Sequence, residues 1–228
     1  MPDRDLSRRA KILAGAYTAL SAANTVSVAR GFRAGEWATK PFLMPTLAAF
    51  TLAAARDRDE NAGLPVAGML LGGLGDTALL AAEGSDNPDL WFLPGMGFFA
   101  AGHACYIAAL VKDGAAGRVS PKVAAGYGAA GALLMAGLWS RLGDLRIPVA
   151  AYSAILLSMA VLASGRNRQA AAGGMSFVLS DSLIAGRLAE IPGVPGESVV
   201  MPTYVAAQAL LAAGWLRPQD ETGKPAEQ

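Results

Sequence analysis

The sequence predicts an all-α, polytopic transmembrane helix bundle of about eight spans, and three observations carry that expectation. Apolar residues make up 53% of the 228 residues and charged residues only 16%, far oilier than an ordinary soluble domain. The charges gather in short segments, and the uncharged stretches between them approach the roughly 20 residues that cross a hydrocarbon core. These stretches show no strand-like alternation, so each can satisfy its backbone in lipid only as a helix.

The spans fall at 9–30, 37–55, 64–82, 91–112, 122–140, 146–164, 170–189 and 199–216. The first follows basic residues without a convincing small-residue cleavage site, so it reads as a retained span rather than a signal peptide. Gly31 to Glu36 separates it from the second, where Pro41 suits a first helical turn. Arg56 to Asn61, Glu83 to Asp89 and Lys112 to Lys122 punctuate the next three connections. Gly143-Asp144, Arg166-Asn167-Arg168 and Ile191 to Gly196 punctuate the last three. The second and sixth spans are short and the fifth is rich in Gly and Ala, which leaves seven or nine crossings as alternatives. Residues 1–216 form one transmembrane domain, and 217–228 form a polar tail expected to be disordered.

Orientation follows from Lys and Arg, which are retained on the cytoplasmic side of short loops. With the N-terminus inside, that side holds Arg4, Arg8, Arg9, Lys11, Arg56, Arg58, Lys112, Arg118, Lys122, Arg166, Arg168, Arg217 and Lys224. The other side holds Arg30, Arg33, Lys40, Arg141, Arg146 and Arg187. Both termini are therefore expected in the cytoplasm. The Ala-rich, short-looped chain fits a bacterial inner membrane. The lone Cys105 excludes an intrachain disulfide framework and reads as a packing residue. A net charge of +1, spread over loops, offers no nucleic-acid surface.

The informative residues are the polar ones inside the spans, since an ionisable group in hydrocarbon costs several kcal/mol unless it faces a cavity or a partner. Asp76, His103 and Asp181 lie at about one depth, on the third, fourth and seventh spans, and suggest a shared polar site. Asn24, Tyr106, Ser180, Tyr204 and Gln208 occupy the same interior. Spacing places Tyr106 on the face of His103 and Gln208 on that of Tyr204. Asn24, Ser180 and Gln208 could equally be hydrogen-bonding glue between helices, and Tyr106 and Tyr204 interfacial anchors. Gly68, Gly72 and Asp76 share a helical stripe on which another helix can approach closely.

With one His and one Cys, the chain has no zinc-type ligand spacing, and no metal or cofactor is expected, although a carboxylate-bound Mg²⁺ would leave no signature. Intramembrane Asp and His residues also serve proton- or cation-coupled transporters, which is the alternative reading.

Several strings resemble the YhhN-like lysoplasmalogenases. They are Lys40-Pro41-Phe42-Leu43-Met44-Pro45; Gly75-Asp76 with Leu79; Gly97-Phe98-Phe99-Ala100-Ala101-Gly102-His103 with Tyr106; Gly174-Met175-Ser176-Phe177-Val178-Leu179-Ser180-Asp181 with Leu183; and Tyr204 with Gln208. Met175 and Thr203 depart from the family pattern. The resemblance implies an integral membrane hydrolase that cleaves the vinyl ether bond of lysoplasmalogens to a fatty aldehyde and glycerophosphoethanolamine or glycerophosphocholine.

That chemistry needs an acid rather than a nucleophile, because protonating the alkenyl carbon gives an oxocarbenium ion that water captures. Two carboxyl groups suit it, as they suit glycosidic cleavage. Asp76 and Asp181 are the candidate acid and base in either order, with His103 assisting proton transfer. Tyr106, Tyr204, Gln208, Asn24 and Ser180 are candidate substrate contacts. Lys40 is either a phosphate ligand or a snorkelling flank residue. The partners implied are a lysophospholipid substrate and membrane lipids.

Overall fold

A computed structural model describes residues 6–57 and 62–219. Arg4, Arg58 and Lys224, used in the orientation argument, and residues 220–228 of the tail lie outside the described residues. The described residues form eight α-helices: α1 Arg8–Ala29, α2 Arg33–Asp57, α3 Gly63–Ala82, α4 Asp89–Lys112, α5 Pro121–Leu138, α6 Arg146–Ser164, α7 Arg168–Leu188 and α8 Glu197–Trp215. Short 3₁₀ turns precede α5 and α6, and there is no strand among the described residues.

Each helix falls on one expected span, and the boundaries have local causes. Ser7 caps α1, its Oγ accepting from Ala10 N at 3.2 Å, and Asn167 caps α7 by accepting from Ala170 N at 2.9 Å. Pro121 opens α5 as its first residue. Gly31, at φ 63°, supplies the left-handed residue that turns α1 into α2. The expectation for Pro41 is corrected. α2 begins at Arg33, a turn earlier than the hydropathy suggests, so Pro41 and Pro45 lie inside the helix. The amphipathic stretch from Arg33 to Thr39 is helical although it is not apolar.

By length and composition, five helices suffice to cross a bilayer: α1, α3, α4, α6 with its preceding turn, and α8. α2 carries Glu36 and Lys40, α7 carries Ser180 and Asp181, and α5 is short at 18 residues and rich in Gly and Ala. The outer surface is apolar. Leu133, Ile147, Leu90 and Ile12 are 74%, 62%, 62% and 60% exposed, an arrangement stable against lipid and costly against water.

The connections alternate between two ends of the bundle. At one end Ala10, Ala54, Ala55, Ala62 and Leu216 cluster, bringing together the start of α1, the end of α2, the start of α3 and the end of α8. Arg166 pairs there with Asp113 and donates to the carbonyls of Gly214 and Trp215 at 3.0 and 3.2 Å, with its guanidinium 4.3 Å above the Trp215 ring. It thereby satisfies carbonyls left open where α8 ends. Where the chain leaves α8, Pro218 O accepts from Asn167, and Gln219 donates to Asp113 O at 2.9 Å. At the opposite end, Arg33 pairs with Glu83 at 3.3 Å and Arg187 with Glu197 at 2.5 Å.

Glycine sets the closest helix contacts. A Cβ on Gly68 would lie 2.9 Å from Gly102 O, and one on Gly102 would lie 2.8 Å from Gly68 O, so α3 and α4 meet backbone to backbone. α7 and α8 do the same, where a Cβ on Gly173 would stand 2.8 Å from Leu211 N. α5 packs on α6 and touches α7, and Leu138 alone of its residues is buried.

Candidate active site

Two of these close contacts aim carboxylates into the bundle. Asp76 stands on the α3 stripe above Gly68 and Gly72 and is 3% exposed. Tyr204 of α8 donates its hydroxyl to Asp76 Oδ2 at 2.6 Å. Around this pair the sequence leaves room by being small. A Cβ on Gly72 would meet Gln208 Nε2 at 3.4 Å and the Tyr204 hydroxyl at 3.7 Å. Gln208, one turn after Tyr204, approaches that hydroxyl at 3.5 Å through Nε2, while its Oε1 accepts from Tyr106 of α4 at 2.8 Å. Three helices are thus joined by one polar chain: Tyr106, Gln208, Tyr204, Asp76.

Asp181 of α7 has a chain of its own. Tyr152 of α6 donates to its Oδ2 in a short hydrogen bond, and His103 Nε2 lies 3.1 Å from the Tyr152 hydroxyl. A phenol has one proton. When Tyr152 donates it to an ionised Asp181, the oxygen must accept from His103, which requires a proton on Nε2. Nδ1 is buried and has no hydrogen-bond partner among the described residues. When Asp181 is protonated, both bonds can reverse and His103 Nε2 becomes the acceptor. Phe177 walls the two chains, its ring edge-on to His103 at 4.6 Å and to Tyr204 at 5.6 Å.

Both carboxylates face one cavity of about 610 Å³, within the range of small-molecule sites. Tyr152, Tyr204, Ser180 and Lys40 share its wall, and Glu83, Arg187 and Glu197 line it toward the end where α7 finishes and α8 begins. The rest of the lining is apolar, including Phe99, Leu79 and Met96, and Leu134 and Met135 of the lipid-exposed α5.

The structure therefore gathers Asp76, Asp181, Lys40, Ser180 and Tyr204 around the cavity. His103 lies behind Tyr152, and Tyr106 and Gln208 behind Tyr204. Asn24 is set apart, buried between α1 and α2 with its Nδ2 donating to Thr39 Oγ1 at 2.8 Å, a helix-joining role. Ser180 Oγ reaches Val200 O at 3.4 Å and joins α7 to α8. Sequence reasoning missed Tyr152, because a single tyrosine in an apolar span has no local pattern that separates it from an interfacial anchor. Among the described residues, no three His, Cys, Asp or Glu side chains converge as a metal site.

Helices with a lipid-facing apolar surface, enclosing a cavity lined by the buried carboxylate of Asp76 and the partly buried one of Asp181, define a helical integral membrane protein with an intramembrane polar site. Residues 35–215 match the model of the YhhN family, and the chain belongs to that family. It is similar to a lysoplasmalogenase of Homo sapiens, 32% identical over 143 residues, covering 61% of this chain and 62% of the human protein. It is also similar to the lysoplasmalogenase of Mycobacterium bovis, 34% identical over 138 residues, covering 54% of this chain and 51% of the relative. The matches thus span between about half and three fifths of these relatives. No solved structure matches the chain.

Proposed function

We propose that this chain hydrolyses the vinyl ether bond of lysoplasmalogens, releasing a fatty aldehyde and glycerophosphoethanolamine or glycerophosphocholine. The observation that carries the proposal is a cavity lined by two carboxylates, each held by a tyrosine hydroxyl from another helix. The lysoplasmalogenase names of the relatives support the same reading.

One of Asp76 and Asp181 donates a proton to the alkenyl carbon beyond the ether-bearing one, and the double-bond electrons form that new C–H bond. The resulting oxocarbenium ion is stabilised by the second, ionised carboxylate, which also takes a proton from the water that adds to the cation. The hemiacetal then collapses: its hydroxyl proton leaves, the bond to the glycerol oxygen breaks, and that oxygen is protonated. The sum is alkenyl ether plus water giving aldehyde plus alcohol, with no covalent enzyme intermediate. For Asp181, the Tyr152–His103 chain positions the carboxyl and tolerates either protonation state by reversing its hydrogen bonds.

The apolar wall from α5 and α6 takes the hydrocarbon chain, and Lys40 takes the phosphate. This reading puts the cavity mouth on the non-cytoplasmic side of the membrane, where the charge distribution places the ends of α1, α3, α5 and α7. Proton- or cation-coupled transport is the weaker reading, because the named relatives are hydrolases. Purified protein should release aldehyde from lysoplasmenylethanolamine and none from the acyl or the saturated alkyl ether lysolipid. Aldehyde-free incubations with folded protein would overturn the proposal.

A further inference from the structure

Beside Lys40, the cavity mouth carries Arg187 and Glu197, to which the proposal above gives no role. Lys40, on α2, is 6% exposed and lines the cavity, and its ammonium makes no direct hydrogen bond or close ion pair among the described residues, acting only at longer range on Asp76 and on Glu36 one turn before it. A buried ammonium facing open space with no direct hydrogen-bond acceptor can take one from an anion. Across the mouth Arg187, near the end of α7, and Glu197, the first residue of α8, form an ion pair, and both line the same cavity. Their side chains are 41% and 35% exposed, so the pair is solvent-screened and readily exchanged. Glu83 also lines the mouth, but its partner Arg33 is anchored by donating to Leu80 O at 2.9 Å. Lys40, Glu83 and Glu197 all line this one cavity.

The spacing from the carboxylates suits a phospholipid headgroup. Arg187 lies six residues beyond Asp181, and Glu197 seven before Tyr204, which is about 9–10 Å along each helix. In a lysoplasmalogen six bonds separate the ether-bearing alkenyl carbon from phosphorus and four more reach nitrogen, roughly 7–8 and 11–12 Å when extended. A vinyl ether beside Asp76 and Asp181 therefore brings phosphate and ammonium to the depth of Lys40, Arg187 and Glu197.

Resting on the lysolipid reading, we infer that the mouth is a zwitterion subsite in which Lys40 and Arg187 bind the headgroup phosphate and Glu197 binds its ammonium. Binding exchanges the Arg187–Glu197 pair for two new ones, Arg187 with phosphate and Glu197 with ammonium, and gives Lys40 a direct hydrogen-bond acceptor. The subsite recognises phosphate and ammonium together, so a lipid lacking either loses a defined part of its affinity.

The test uses the full-length protein and non-hydrolysable alkyl ether lipids of one chain length: alkylglycerol, alkyl glycerophosphate and alkyl glycerophosphoethanolamine. Equilibrium binding is measured for wild type, Lys40→Ala, Lys40→Arg and Glu197→Gln. Lys40→Ala should raise Kd for both phosphate-bearing lipids roughly tenfold relative to alkylglycerol, and Lys40→Arg should restore most of it. Glu197→Gln should weaken only the zwitterionic lipid, by about three- to tenfold. Parallel weakening of all three lipids, or unchanged selectivity in either Lys40→Ala or Glu197→Gln, overturns the subsite. Turnover of the vinyl ether lipid is read separately: absence of aldehyde with the headgroup pattern intact counts against the hydrolase and leaves the subsite standing.

Discussion

Tyr204 and Asp76 lie 128 positions apart in sequence and 2.6 Å apart in space, so that the phenol of α8 ties the buried carboxylate of α3 into the bundle. The bond is charge-assisted when Asp76 is ionised, and Gln208 and Tyr106 hold the phenol from behind. Replacing Tyr204 by Phe keeps the ring against Phe99 and Phe177 but leaves a buried carboxylate short of a donor. The variant should lose about 1–3 kcal/mol of stability and at least tenfold in turnover. Thermal unfolding in detergent and steady-state aldehyde release measure the two effects.

His103 is linked to Asp181 through Tyr152. Tyr152→Phe should lower kcat about 10- to 100-fold with little change in KM, because Asp181, as acid or as base, loses its positioning partner while the binding wall stays. His103→Leu should produce a similar loss. The double variant should be no worse than the poorer single one, since both act through one chain. Additive losses would mean that the two residues work independently.

Gly102 and Gly68 face each other across α3 and α4 with no room for a methyl group, and the obstruction is backbone. Gly102→Ala should push the helices apart and destabilise the protein by roughly 1–3 kcal/mol. Because α3 carries Asp76 and α4 carries His103, activity should fall with stability. Gly97, next to open space on the same helix, is the comparison site where alanine should be tolerated. Unfolding curves of the two variants decide the matter.

The eight helices were legible because lipid demands long apolar segments bounded by charge, and hydropathy reports that demand directly. α2 was the element read too short: Lys40 lines the cavity rather than facing lipid, so its charge does not mark the end of the helix. Asp76, Asp181 and His103 stood out because an ionisable residue in a span needs a reason. Tyr152 did not, since its importance lies in contacts with α4 and α7 that no periodicity records. Asn24 looked like its neighbours in polarity and depth, yet its partner is Thr39, fifteen residues away in the adjacent helix. The positive residues behaved similarly. Arg166 counts toward orientation in the sequence, and only the fold shows it capping the end of α8.

Carbon protonation by a buried carboxyl group is the central claim, and hydrolysis of lysoplasmenylethanolamine in D₂O, with the aldehyde trapped by reduction as it forms, tests it most directly. Wild-type protein should place one deuterium on the carbon next to the aldehyde in each product molecule. Asp76→Asn and Asp181→Asn should each lose at least about 10²-fold in rate while remaining folded. Aldehyde without that deuterium, or either Asn variant turning over at the wild-type rate, would contradict the account.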